Sequence, residues 1–281
     1  MLSRSSLNFR NIIRPWIPPI VVSALYRGQQ IRYVPFSGTW DDAVAACDGY
    51  DSEVILDRVL SSTLRVLRGD AAFERDGVTF DKPDYSYPLV SGLLRACSLL
   101  KAPVQVLDYG GSLGSAYWQC KRFLIGFELD WSVVEQAQFV KCGRENPELQ
   151  QLSFYESISQ YLGDHQPGIC LLGGVLSYVK DPMALVTEIV QQRFPFLLID
   201  RTLLSEEKKS YLSIQHVPAS IYGKPVRYPA WILSRSELMS SLSECYDLFC
   251  DFDALGGTVD VGTRAAGHRG LLFDLKKSAR Q

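Results

Sequence analysis

Apolar positions recur along this chain with two different periods, and the change from one to the other divides it. Up to about residue 100 the spacing is helical. Residues 40–47 begin an amphipathic turn that closes at Gly49, and 52–67 carry apolar residues at i, i+3, i+4 and i+7 before a stop at Gly69. Residues 74–80 suit a small hairpin, and 88–100 read as one more helix. Tyr50, Tyr85 and Tyr87 could lid a neighbouring pocket or pack within this region. From Pro103 onward short apolar runs alternate with helical stretches, as in α/β folds. Strands are predicted at 104–108, 131–135, 152–155, 168–172 and 196–202. Helices follow at 115–123 and 137–143, from the Asp181-Pro182 cap, and at 236–245. Residues 203–233 lack clean periodicity and read as an insertion. Residues 246–252 and 270–275 then form a terminal hairpin across a glycine-rich connection. The expected architecture is a helical extension or lid over 1–100 and an α/β Rossmann-like domain over 101–281.

The stretch from Val104 to Gly114 carries the chemistry. An apolar, β-branched run ends in Asp108, and Gly110, Gly111 and Gly114 follow before a helix. Strand, tight turn and helix in that order make the opening unit of a nucleotide-binding sheet. Glycine fits such a turn because it accepts positive φ and lets a ligand lie against the backbone. A dinucleotide site would set a pyrophosphate on the helix N-terminus, where Asp108 would repel it. S-adenosylmethionine (SAM) has no phosphate and carries an ammonium and a sulfonium. A carboxylate beside it attracts, on the order of 4 kcal/mol at contact distance and intermediate dielectric. The pattern therefore points to SAM, and otherwise to a tight turn with no ligand. Glu135 closes the second predicted strand at the spacing of a ribose-binding acid, with Glu128 and Asp130 as rivals in the approach to it.

Composition removes several alternatives. The 281 residues are 47% hydrophobic and 21% charged, enough for a full core, and the formal charge of -2 gives no general attraction to nucleic acid. The seven cysteines are scattered and never in C-x-x-C spacing, which argues against a disulfide framework or zinc site and for thiols in a reducing cytoplasm. With three dispersed histidines, no metal site is expected. Residues 12–25 are apolar and flanked by arginines, yet too short and too broken by proline to span a bilayer. They read as a segment packed on the main domain or, alternatively, as a peripheral contact with the inner membrane or a partner.

These pieces together resemble an uncharacterised bacterial family of class I SAM-dependent methyltransferases, whose members often accompany genes for lipopolysaccharide or other surface glycans. The residues that carry the resemblance are 49–51, 106–114, 131–136, 154–157, 174–178 with Asp181-Pro182, 199–202 and 228–231. It implies a seven-stranded class I methyltransferase sheet with a terminal antiparallel hairpin. By position it implies that Asp108, Gly110 and Gly114 line the methionine end of SAM. Glu135 would hold the ribose, Gln136 would flank adenine, and Ser157 would lie near the purine edge. Gly174 and Val175 would follow the fourth strand where the methyl group passes.

Candidates for the acceptor side come from the residues themselves. An oxygen acceptor needs a base, and His216 lies in the insertion with Tyr222 and Tyr228 near it in sequence. Asp200 and Arg201 end a strand, where Arg201 could clamp a carboxylate or phosphate. Residues 173–176 do not form the Asn/Asp-Pro-Pro-Tyr/Phe edge used on exocyclic amines of nucleobases, and no Pro-Cys pair is present for attack on cytosine. The expectation is SAM-dependent O-methylation of a sugar, surface glycan or small metabolite, without nucleic acid. A non-catalytic SAM-binding scaffold in glycan assembly and an NAD(P)-dependent oxidoreductase are the alternatives.

Overall fold

A computed structural model of the chain describes residues 31–47, 52–75, 77–219 and 224–279. Residues 12–25, Gly49, Tyr50 and Tyr222 lie outside these. The order runs β1 (Arg32–Pro35), α1 (Trp40–Ala45), α2 (Ser52–Leu67), β2 (Phe73–Arg75), β3 (Val78–Phe80), α3 (Tyr87–Leu99), β4 (Val104–Tyr109) and α4 (Ser115–Cys120). It continues through β5 (Leu129–Val134), α5 (Ala137–Glu145), β6 (Ser153–Tyr155), α6 (Ile158–Asp164), β7 (Ile169–Gly173) and α7 (Pro182–Gln192). Last come β8 (Phe196–Ser205), β9 (Tyr211–Val217), β10 (Val226–Ser234), α8 (Arg235–Leu242), β11 (Tyr246–Val261) and β12 (Arg264–Leu275).

Local sequence accounts for most of the helix starts. Thr39 and Asp42 bond reciprocally as a capping box for α1. The side chains of Ser157, Asp181 and Ser234 accept the N–H groups of Gln160, Ala184 and Glu237 at the heads of α6, α7 and α8. The hairpin expected at 74–80 is present as β2 and β3.

Strands β6-β5-β4-β7-β8 form a parallel sheet, and β12 joins β8 antiparallel with β11 outside it. The five parallel strands and the antiparallel pair are thus where the periodicity placed them. The open seven-stranded sheet is not. β8, β11 and β12 run well past the predicted ends, and beyond the sheet they meet β1, β9 and β10. The pairings β8–β12, β12–β11, β11–β1, β1–β9, β9–β10 and β10–β8 close a six-stranded barrel on one end of the sheet. The residues read as an insertion without periodicity are barrel wall, and the early region read as helical contributes β1 to it.

Alternation along the parallel strands sorts the core into two layers. Val106, Val133, Leu171 and Leu198 lie on the face covered by α3 and α4, while Leu107, Val134, Leu172 and Ile199 lie on the face covered by α6, α7 and α8. A third cluster, with Tyr33, Leu203, Ala230, Ile232, Val261 and Ala266, fills the barrel.

Candidate functional site

One more step of the same alternation takes each central strand from its last core residue to the carboxyl edge. Beyond Val106 on β4 stands Asp108; beyond Val133 on β5, Glu135; beyond Leu171 on β7, Gly173; beyond Leu198 on β8, Asp200. Register puts Gly173 opposite Asp200 and level with Glu135, while Asp108, opposite Val133 and Leu171, lies two residues deeper. All four positions face the α3–α4 side in one staggered row, three acids and one gap. A Cβ built on Gly173 meets nothing within 4 Å. The edge of a parallel sheet outside its strand ends is where open α/β folds bind ligands.

The acids are held, not loose. Asp108 is 1% exposed, and its Oδ2 accepts the Trp131 indole N–H at 3.3 Å. Burial pushes its carboxyl up to about 7; Glu135 adds to that, while the Trp131 bond and the charge of Arg201 oppose it. Glu135 is half-buried at the head of α5, where its Oε2 accepts the Gln136 N–H at 2.7 Å. Burial raises it too, against the backbone N–H groups of Gln136 and Ser112. Asp200 is 3% exposed and raised by burial, with the charge of Arg201, the Arg201 backbone N–H, the Ser86 hydroxyl and Arg75 pulling it down. Ser86, just ahead of α3, donates to Asp200 Oδ1 at 3.5 Å. Its neighbours Tyr85 and Tyr87 pack on Phe123, with the Tyr85 ring 4.9 Å from it. The Cys120 thiol at the end of α4 is pushed up to about 12, by burial first and then by the charges of Asp108 and Asp200.

The glycines of the loop are also demanded by packing within the protein. Gly110 and Gly114 have positive φ, as does Ser112 between them. A Cβ on Gly110 would strike the Val175 side chain, one on Gly111 would stand 2.5 Å from the Asp108 carboxyl carbon, and one on Gly114 would strike Leu152. These glycines let the loop close over protein groups.

Arg201 also has positive φ, at 52°, a conformation that costs a non-glycine residue of order 1–3 kcal/mol. Its Nη2 donates to the Gly173 carbonyl at 3.4 Å, and Gly174, at φ 78°, leaves room beside the guanidinium. Asp200 and Arg201 thus join the row from the β8 side. Gln136 and Ser157 lie at the heads of α5 and α6 on the β5–β6 side, and Ser157 Oγ is occupied in capping.

His216 is not brought into the row. On β9 it is registered between Arg32 of β1 and Arg227 of β10. Alternation puts it on the opposite face from Gln215, whose Oε1 accepts the Tyr178 hydroxyl at 2.8 Å. Tyr178 belongs to the segment following Gly174, so this bond ties the crevice to the barrel, and the Tyr228 ring meets Tyr178 edge-on at 5.8 Å. Sequence reasoning missed Ser86, Trp131, Gly173 and Gln215. Only Gly173 had a local signal, as the first of a glycine pair after a strand. Among the described residues no group of three or more His, Cys, Asp or Glu could hold a metal ion, and no helix is long and apolar enough to cross a membrane.

The chain matches no protein-family model and no curated protein. Among solved structures it is similar to the N-terminal domain of EvdMO1, crystallised in the presence of S-adenosylhomocysteine (SAH) and D-fucose. There the identity is 14% over 81% of this chain and 98% of that one, with a TM-score of 0.43. It is also similar to a SAM-dependent methyltransferase from Clostridium acetobutylicum, at 10% identity over 68% and 93% of the two chains and a TM-score of 0.43. For the glycopeptide N-methyltransferase MtfA complexed with SAM the values are 12%, 67% and 87%, with a TM-score of 0.41.

Proposed function

We propose that this chain is a SAM-dependent methyltransferase acting on an oxygen of a sugar, a surface glycan or a small metabolite. The observation that carries the reading is the row of strand ends: acids on β4, β5 and β8, and open space over Gly173 on β7. A cationic ligand whose ribose hydroxyls are taken by Glu135 would lie along this row, with Asp108 beneath it. A diphosphate would bring its own negative charge to an edge lined by three acids, which counts against a nicotinamide dinucleotide.

SAM supplies the electrophilic methyl group. In the transfer the bond from methyl carbon to sulfur breaks and its electron pair stays on sulfur. A bond from that carbon to the acceptor oxygen forms, and the hydroxyl proton must leave to a base. The protein's work is to align the two partners and exclude water. Asp200 stands in the row and is the carboxylate we assign to the proton, with Arg201 beside it to hold an anionic group of the acceptor. His216, on the barrel wall, is the alternative base for an acceptor that reaches that far.

Two experiments test the reading. Titration with SAM and with NADH should show heat for SAM alone; heat for NADH alone would replace it with the oxidoreductase. Incubation with methyl-labelled SAM and a panel of hexoses, nucleotide-linked sugars and small hydroxylated metabolites should transfer label to one class. Bound SAM with transfer to none would make the protein a non-catalytic scaffold.

A further inference from the structure

The space over Gly173 lies between two acids of unequal setting. Asp108 is one strand away on one side, tucked under Gly111 and bonded to Trp131. Asp200 is one strand away on the other side, directly opposite Gly173 and bonded to Ser86. With strands about 4.8 Å apart and a two-residue stagger along them, the Cα atoms of the acids are roughly 12 Å apart. A group above Gly173 is therefore within reach of both charges. The cation that acts on both acids is Arg201, bonded to the Gly173 carbonyl from the side of Gly174. Arg75 adds to it at Asp200.

We infer that the slot over Gly173 receives the ligand's sulfur and that Asp200 reads the charge on it, so that the crevice holds SAM in preference to SAH. The inference rests on the methyltransferase reading and adds to it a residue that distinguishes cofactor from product. SAM and SAH share adenine, ribose, ammonium and carboxylate, and groups that touch only these bind both alike. They differ by one methyl group and one positive charge, both on sulfur. A carboxylate roughly 6 Å from that charge, at an effective dielectric near 20, interacts with it strongly enough to exceed a tenfold difference in affinity. Methyl transfer erases the charge. The attraction that held the cofactor is then gone, and the product leaves more easily than the cofactor would.

Calorimetry with SAM and SAH, on the wild-type chain and two variants, tests this. The wild type should bind SAM at least tenfold more tightly than SAH. Asp200→Asn should lower that ratio severalfold by weakening SAM while leaving SAH affinity within a factor of two. Arg201→Met removes the neighbouring cation and should raise the ratio above the wild-type value, which keeps the test decisive if Asp200→Asn folds poorly. Equal binding of both ligands by the wild type, or an equal loss of both in Asp200→Asn, overturns the inference and leaves the methyltransferase reading standing. Binding of neither ligand by the wild type overturns both.

Discussion

The crevice half of the molecule and the barrel half share three strands yet obey opposite rules. In the crevice half, β4, β5, β7 and the first part of β8 are mostly buried and mostly apolar, with Gln105, Asp130 and Ser132 as the polar exceptions before the edge. Acids gather at the carboxyl edge itself. In the barrel, β9 sets Ser213 and Gln215 on the face of Tyr33 and Ala230, among the apolar residues that fill it, and keeps Leu212 and Ile214 buried on the other face. A polar residue at a strand end and one inside a barrel look alike in a sequence. What separates them here is charge: those of the barrel are neutral and hydrogen-bonded, those of the crevice edge are acids. Ser213 Oγ donates to the Ala230 carbonyl, and Gln215, 4% exposed, accepts from Tyr178. Burial raises all three acids of the row.

The contrast is broken most severely by filling the gap. Gly173→Val suits a strand and its Cβ meets no protein atom within 4 Å, so the melting temperature should stay within a few degrees while SAM affinity falls more than about a hundredfold (about 2.7 kcal/mol). Retained affinity would show that the ligand lies elsewhere.

A second test uses the buried carboxyl. Asp108 titrates at about 7 in the folded chain against an ordinary value of 3.8, so the folded state holds a proton that the unfolded state releases. Stability from this group is full below about pH 4 and is lost as pH rises to about 7, by up to a few kcal/mol. Asp108→Asn should flatten that fall in urea melts at pH 4.5 and 8, whereas an unchanged difference would mean that Asp108 is not buried as described. For binding, Asp108→Ala and Glu135→Ala should each weaken SAM by more than about tenfold, measured by calorimetry; unchanged affinity in both would remove the placement.

Smaller effects sharpen the comparison. Gly111→Ala presses a methyl group against the Asp108 carboxyl and should cost about 1–3 kcal/mol in denaturant melts. Gly163→Ala, in α6 with nothing near it, should gain about 0.4–1 kcal/mol instead. On the barrel side, Tyr178→Phe removes one hydrogen bond and should cost about 0.5–1.5 kcal/mol. A loss of SAM affinity in that variant would show the barrel to be coupled to the cofactor site.

The difference between the halves also explains how far the sequence could be read. The parallel strands were legible because apolar runs bounded by glycine and acid leave little choice of structure, and the Asp181-Pro182 cap fixed the start of α7 unaided. Spacing alone put Glu135 at the end of the second parallel strand, where it stands directly after β5. The barrel was not legible. Its strands pair with partners distant in sequence, Arg32 with His216 and Tyr33 with Val261, and no local period records such a partner. The glycine-rich connection read between residues 252 and 270 is mostly strand, and β11 runs through Gly256 and Gly257 as a bulge between Asp253 and Thr258. The true turn falls after Val261, with Gly262 at φ 66°. His216 seemed a base because histidine in an irregular segment is suggestive; once the segment is a strand, its face follows from its neighbours. The role of Gly173 depended on the register of four strands at once.

The central claim is that the strand ends form one row with a vacant position at Gly173, and a crystal structure of the chain grown with SAM tests it most directly. The account predicts ribose hydroxyls on Glu135 and the sulfonium over Gly173 between Asp108 and Asp200. SAM bound away from that row, or a row closed over by the chain's own side chains, would contradict it.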